Sequence, residues 1–361
     1  MKEQKQTSKI DGTLLLVVLL LVTLGLVFLY TTSEYNGRVR FGDSAYYFKK
    51  QFFATSIGLG AMYAVTKMDY HKLVKLGPFL YVVSLGLSAA VLVVGQEING
   101  SKRWLSLGPL SFQPSEFAKV AVILFLTWQI DRSKKNVSSF GKMCGIMLTL
   151  LPVVALVGSN NLSTAIIILG IGVILIFVSN SKYIPFLVIG GVGMGFMAIF
   201  LMAESYRLER LAVWRNPEKY EKGFQTIQGL YAIGSGGIWG KGAGNGIQKL
   251  GFVPEAQNDM IFSIVCEEFG LVGASVLILV FILLLWRLCV LSSRCRELQG
   301  ALICAGIMAH LAIQVILNIS VVTNTIPNTG ITLPFVSYGG TSVLFLLGEM
   351  GLALNVGSRR L

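Results

Sequence analysis

The stretch Val253-Pro254-Glu255-Ala256-Gln257-Asn258-Asp259-Met260-Ile261-Phe262 brings a carboxylate to the point where a long polar segment runs into an apolar helix. A carboxyl group at such a boundary loses part of its hydration, which raises its pKa and suits it to proton abstraction near neutral pH. Asp259 is therefore the first candidate for chemistry. The same position also suits an N-cap of the following helix. An Asp259→Asn substitution separates these roles, because asparagine caps a helix and is no base.

A second constellation is Pro114-Ser115-Glu116 with Lys119. Proline is tolerated in a first helical turn and an acidic residue there complements the helix dipole, so Glu116 has a plain structural reading. Lys119 shares its helix face, and an oppositely charged pair at the opening of a membrane span points to function. Arg207, Arg210 and Arg215 gather a little before the Asp259 segment. Guanidinium forks match phosphate oxygens, and the same residues equally suit an amphipathic helix lying on lipid headgroups. The glycine-rich run from Gly234 to Asn245 permits close backbone approach to a ligand or re-entry into a membrane, and it is no Walker loop. His310, Gln314 and Asn318 recur every four residues, a pattern expected for interhelical hydrogen bonding. Glu349 is expected to be paired or to face an interior cleft.

The elements that must hold these groups are membrane helices. The chain has 361 residues, of which 54% are hydrophobic and 13% charged, with a mean hydropathy of +0.69. Runs long enough to cross a hydrocarbon core occur at about 12–30, 49–66, 77–95, 114–131, 141–157, 162–178, 183–203, 261–286, 300–322 and 337–356. The expectation is an all-α polytopic membrane protein of about ten spans, one domain over residues 1–361, with no soluble linker and no internal repeat.

Lys2, Lys5 and Lys9 precede the first span, and alternate short loops carry Lys67, Lys72 and Lys75, then Arg132, Lys134 and Lys135, Lys182, Arg294 and Arg296, and finally Arg359 and Arg360. By the positive-inside rule both termini are cytoplasmic, and the long loops at about 31–48, 96–113 and 204–260 face outward. The loop at 96–113 alternates apolar and polar residues around Trp104, which suits a segment in the membrane interface. The net charge of +12 belongs mostly to topology, leaving no case for nucleic acid. The five cysteines show no Cys-x-x-Cys pair, so neither a disulfide framework nor a zinc site follows.

Taken together, these stretches resemble the SEDS family of shape, elongation, division and sporulation proteins, nearly end to end. The resemblance is carried by Asn99-Gly100-Ser101-Lys102-Arg103-Trp104, Gln113-Pro114-Ser115-Glu116-Phe117-Ala118-Lys119, Gly234-Ser235-Gly236-Gly237, Pro254-Glu255-Ala256-Gln257-Asn258-Asp259 with Phe262, Glu267 and Glu268, and Leu333-Pro334-Phe335-Val336-Ser337-Tyr338-Gly339-Gly340. The opening residues 27–33 and 41–51 look more like the division branch, FtsW, than the elongation branch, RodA. The resemblance implies a peptidoglycan glycosyltransferase that polymerises lipid II outside the membrane, with a class B penicillin-binding transpeptidase and other divisome or elongasome proteins as partners. It places the essential aspartate on Asp259 and the paired Glu and Lys on Glu116 and Lys119. One departure is Asn161, in a position that is commonly acidic in the family.

Forming a glycosidic bond from a lipid diphosphate sugar needs a base for the acceptor hydroxyl and stabilisation of the departing diphosphate. Asp259 is expected to supply the first. Lys119, Arg207, Arg210 and Arg215, or a divalent cation held partly by Asp259, are candidates for the second, with Glu116 orienting Lys119. Arg103, Gln225 and Ser337 complete the candidate substrate-binding set. Two rival readings are a lipid-linked precursor flippase and a non-catalytic scaffold for a transpeptidase.

Overall fold

The computed structural model describes residues 10–98, 101–107, 110–133, 140–179 and 205–359. Its helices are α1 (Gly12–Phe41), α2 (Tyr46–Lys67), α3 (Tyr70–Val94), α4 (Pro114–Arg132), α5 (Phe140–Asn160), α6 (Leu162–Ser179), α7 (Ser205–Arg215), α8 (Phe224–Gly236), α9 (Ile261–Arg294), α10 (Leu298–Val322) and α11 (Gly340–Ser358). Seven of them, α1, α3, α5, α6, α9, α10 and α11, are long and apolar enough to cross a membrane. Helices α2 and α4 also fall on expected spans, but Lys49 and Lys50 in the one and Glu116, Lys119 and Asp131 in the other lower their hydropathy. The expected run at 183–203 lies outside the described residues, as do the flanking lysines Lys2, Lys5, Lys9, Lys134, Lys135 and Lys182.

Several segments read as loops are ordered elements. Residues 31–41 continue α1 as helix, and only Gly42 to Ala45 separate it from α2. The polar end of α1 is held by side chains: Glu34 pairs with Arg38 at 2.8 Å, and Arg40 pairs with Glu255 at 2.7 Å. Gly42 then stops the helix in the left-handed region, at φ 70°. The alternation at 96–113 belongs to strands, with period two. Strands β1 (Gln96–Ile98), β2 (Ser101–Leu107) and β3 (Leu110–Phe112) form an antiparallel meander in the order β1-β2-β3. The segment 205–260 carries α7 and α8 before it reaches Asp259.

Close helix approach depends on glycines where the backbones touch. A Cβ on Gly351 of α11 would lie 2.6 Å from the Met62 carbonyl of α2, and one on Gly25 of α1 would lie 2.2 Å from the carbonyl of Phe335. The second contact lets the Leu333-Pro334-Phe335-Val336-Ser337 turn enter the bundle beside the site.

Helix α9 is two helices joined at Gly270, whose φ of 64° and ψ of −164° break the helical ladder. The glycine-rich run closes that break. Gly237 and Ile238 accept from the amides of Leu271 and Val272, while the amides of Lys241 and Gly242 donate to the carbonyls of Glu267 and Glu268, all at 2.9–3.1 Å. A Cβ on Gly240 would lie 2.2 Å from the Glu268 carbonyl. The glycines are therefore spent on backbone pairing with α9.

Candidate functional site

Helices α4, α6, α10 and α11, strand β2 and the segments at 254–259 and 330–332 enclose a cavity of about 660 Å³. Asp259, Glu116, Lys119, Arg103 and Gln225 all line it. Residues from four separate stretches of the sequence thus share one space.

Asp259 reaches the cavity because the turn before it is fixed on every side. Glu255 takes the left-handed conformation at φ 51°. Its carboxylate accepts from Arg40 at 2.7 Å, from Asn258 Nδ2 at 2.7 Å and from Gln257 Nε2 at 3.3 Å. Gln257 is held in turn by Asn36, at 2.8 Å, and by the Tyr338 amide, which donates to its carbonyl at 2.9 Å. The main-chain carbonyl of Asp259 accepts from Asn318 Nδ2 at 2.8 Å. Its carboxylate, 9% exposed, accepts from Gln225 Nε2 at 3.3 Å. The capping position of α9 belongs to Met260, and Asp259 accepts from no amide of that helix.

Burial pushes the Asp259 carboxyl up to about 6, reinforced by the charge of Glu255 and opposed first by a hydrogen bond from its own backbone amide, then by the Gln225 hydrogen bond and by Arg103. A base whose pKa lies just below neutral is deprotonated at pH 7 and still takes up a proton readily. Gly330, at φ 69°, sits between acid and cation: a Cβ there would lie 3.8 Å from Arg103 Nη1 and 3.9 Å from Asp259 Oδ2. The sequence does not mark this glycine as a site residue.

Helix α4 presents the second half of the site. Pro114 opens it, Glu116 follows in the first turn, and Lys119 Nζ lies 2.8 Å from Glu116 Oε1. Both are buried, so the pair is a neutral unit that places an ammonium at the cavity wall. Arg103 comes from β2 and is steadied by donating Nε to the Asn160 carbonyl at 2.9 Å. Asn161 also lines the cavity, and its side chain accepts from the Thr164 amide at 3.1 Å, capping α6. Asparagine caps as well as aspartate does, so the change from an acidic residue preserves that role.

The other candidates lie elsewhere. Arg210 donates to the Asn328 carbonyl at 3.2 Å, and so fastens α7 to the segment that carries Gly330 without lining the cavity. Arg215 is exposed, at the end of α7. The side chain of Arg207 lies outside the described residues. Ser337 uses its hydroxyl to accept the Leu333 amide at 2.8 Å, which closes the turn there and leaves it off the cavity wall. Gln225 does line the cavity, and Asn328 orients its amide by donating to Oε1 at 3.1 Å. The motif carboxylates Glu267 and Glu268 are structural pins, paired with Lys241 at 2.8 Å and Lys249 at 2.5 Å.

For a divalent cation, Asp259 is a carboxylate donor on the cavity wall. No group of three or more His, Cys, Asp or Glu side chains that could hold a metal occurs among the described residues, and Glu255 is committed to Arg40, Gln257 and Asn258. One carboxylate fits a magnesium-type ion whose remaining ligands are water and the oxygens of a bound diphosphate.

The family model described as "Cell cycle protein", covering FtsW, RodA and SpoVE, matches residues 12–360. The chain is 38% identical over 359 residues to stage V sporulation protein E of Bacillus subtilis, covering 98% of each. It is 32% identical to "Probable peptidoglycan glycosyltransferase FtsW" of Trichlorobacter lovleyi, covering 97% of this chain and 93% of that one. Among solved structures it superposes on a chain from a peptidoglycan synthase complex that coordinates polymerization and crosslinking, with a TM-score of 0.81, 30% identity and coverage of 97% and 98%. The rod shape determining protein RodA of Thermus thermophilus gives a TM-score of 0.74 at 30% identity, covering 97% of both chains. With almost its whole length matched in sequence and in fold, this chain belongs to the FtsW, RodA and SpoVE family of membrane proteins, the SEDS family.

Proposed function

We propose that this protein is a peptidoglycan glycosyltransferase that polymerises lipid II into glycan strands on the outer face of the cytoplasmic membrane. The observation that carries the reading is one cavity holding a buried carboxylate with a raised pKa together with two cationic side chains, Lys119 and Arg103. The names of the FtsW relatives support the same activity. The SpoVE and FtsW relatives favour a role in building the septum, in division or sporulation. The charge pattern supports cytoplasmic termini and an outward-facing cavity.

In this reading Asp259 takes the proton of the acceptor sugar hydroxyl as that oxygen bonds to the anomeric carbon of the donor. The bond from that carbon to the diphosphate breaks, and the diphosphate leaves with the electron pair toward Lys119 and Arg103. Glu116, 2.8 Å from Lys119 Nζ, keeps Lys119 aimed. Gln225 orients the Asp259 carboxylate, and Arg210 acts through the 328–330 segment. Asp259 would be the residue to hold a magnesium or manganese ion, which would supply further charge stabilisation for the leaving group. The structural neighbour from a synthase complex supports a class B penicillin-binding transpeptidase as partner.

Purified protein given lipid II in detergent, with and without the partner transpeptidase, is expected to make polymer that disappears with Asp259→Asn. Translocation of lipid II across liposomes without polymer would identify a flippase instead. Neither activity would leave a scaffold.

A further inference from the structure

Helix α10 reaches the site three times. Asn318 Nδ2 donates to the Asp259 carbonyl at 2.8 Å and to the Ile331 carbonyl at 2.7 Å. One turn away, Gln314 Oε1 accepts from Lys119 Nζ at 3.0 Å, and its Nε2 donates to the Thr332 carbonyl at 3.0 Å. One further turn away, His310 Nε2 lies 2.9 Å from the same Gln314 oxygen, and Nδ1 lies 2.9 and 3.0 Å from the two oxygens of Glu349 on α11. His310 is 1% exposed, Gln314 2%, and Asn318 and Glu349 0%.

The donors and acceptors determine the protons. The Thr332 carbonyl only accepts, so the Gln314 nitrogen faces it and the Gln314 oxygen faces Lys119 and His310. An oxygen there requires a hydrogen on His310 Nε2. One further proton is shared between Nδ1 and Glu349, either as imidazolium facing carboxylate or as neutral imidazole facing a carboxylic acid. Both arrangements are neutral as a pair, and both hold Gln314 in the same orientation.

We propose that His310 and Glu349 are positioning residues for glycosyl transfer: by locking the Gln314 amide they hold the Lys119 ammonium at the cavity wall. Asn318 holds the backbone of Asp259 from the same helix, so α10 sets the spacing between base and cation. The inference rests on the glycosyltransferase reading above. The competing role for the pair is to join α10 to α11 and nothing more.

The test compares His310→Leu/Glu349→Leu with Glu349→Gln in the full chain, in detergent with its transpeptidase partner and lipid II. The double substitution removes both members together, so no unpaired charge is left buried. It is expected to fold with a Tm close to that of the wild type, to keep KM for lipid II, and to lose about 10- to 100-fold in kcat, as a misplaced catalytic group does. In Glu349→Gln the new amide donates to Nδ1, the Nε2 hydrogen stays, and kcat stays within about threefold of wild type. A double variant with wild-type kcat overturns the proposal, and so does one that cannot fold, which makes the pair a structural requirement. A folded but inactive Glu349→Gln also overturns it, since the pair would then be a proton carrier. Labelling of Lys119 by a small amine-acylating reagent, read by peptide mass spectrometry, needs no turnover. It should rise several-fold in the double variant and stay at the wild-type level in Glu349→Gln, and unchanged labelling in the double variant overturns the proposal. Absence of polymer from the wild type itself counts against the glycosyltransferase reading, while the labelling result still decides the role of His310 and Glu349.

Discussion

Asp259 and the pair Glu267 and Glu268 lie in one short stretch of chain, all three buried, and the fold treats them in opposite ways. Glu267 accepts from Lys241 Nζ at 2.8 Å and from the amides of Ile247 and Gln248 at 3.0 and 3.1 Å. Glu268 has Lys249 at 2.5 Å. Asp259 has one long side-chain hydrogen bond, from Gln225, and beyond that only its own backbone amide and, least of all, the charge of Arg103 favour its carboxylate. A carboxylate saturated with donors is a fastener, because it gains nothing from a proton. One that is buried and undersupplied can take a proton from a substrate. The difference teaches that satisfaction, and not burial or motif membership, separates the reactive carboxylate from the structural ones.

The sharpest way to break this contrast is to exchange each carboxylate for its amide. Asp259→Asn should lower polymerisation by at least about 10³-fold in a lipid II assay, while the folded yield is retained. The folded carboxyl titrates near 6 and the ordinary value is 3.8. The folded state therefore binds the proton more tightly between those values, and its stability falls as pH rises through that window. The Tm of Asp259→Asn at pH 7.5 is expected at or above that of the wild type. Glu268→Gln should do the reverse, leaving Lys249 buried without its counter-charge at a cost of roughly 3–5 kcal/mol, read as a lowered Tm. A Glu268→Leu/Lys249→Met double variant should recover most of that loss.

Smaller effects refine the comparison. Gly240→Ala puts a Cβ against the Glu268 carbonyl at a φ of 79°, and should cost at least about 1–3 kcal/mol in thermal unfolding without changing the pH profile of activity. The profile itself should rise through pH about 6 as Asp259 deprotonates and then level off. Gln225→Leu removes a donor that favours the carboxylate, so the midpoint should move upward, by up to about one pH unit. An unchanged midpoint would show that Gln225 does not touch the reactive form.

Much of this was legible in the sequence, for reasons that follow from local physics. Apolar length alone marks the spans, because a bilayer leaves no alternative to a helix for satisfying the backbone. The spacing of Glu116 and Lys119 makes their pairing a matter of helical geometry, and the position of Asp259 against an apolar helix announces a dehydrated carboxyl. The four-residue spacing of His310, Gln314 and Asn318 likewise puts them on one face, as expected for interhelical bonding. Hydropathy misread residues 31–41, since a polar helix supported by Arg38, Arg40 and their partners has the composition of a loop. It also reads 96–113 as a loop, where the period-two alternation belongs to strands.

What only the tertiary structure decided is who meets whom. Nothing local indicates that Arg103 from a strand and Gly330 from a turn sit beside Asp259, or that Ser337 and Arg215 lie off the cavity wall. The glycine-rich run could have faced a ligand, and its role in closing the break at Gly270 depends on amides more than twenty residues away. Sequence carries covalent spacing, so it determines the helices, the charges and the pairs within one turn. The raised pKa of Asp259 depends on desolvation by groups distant along the chain, and packing alone brings those groups together.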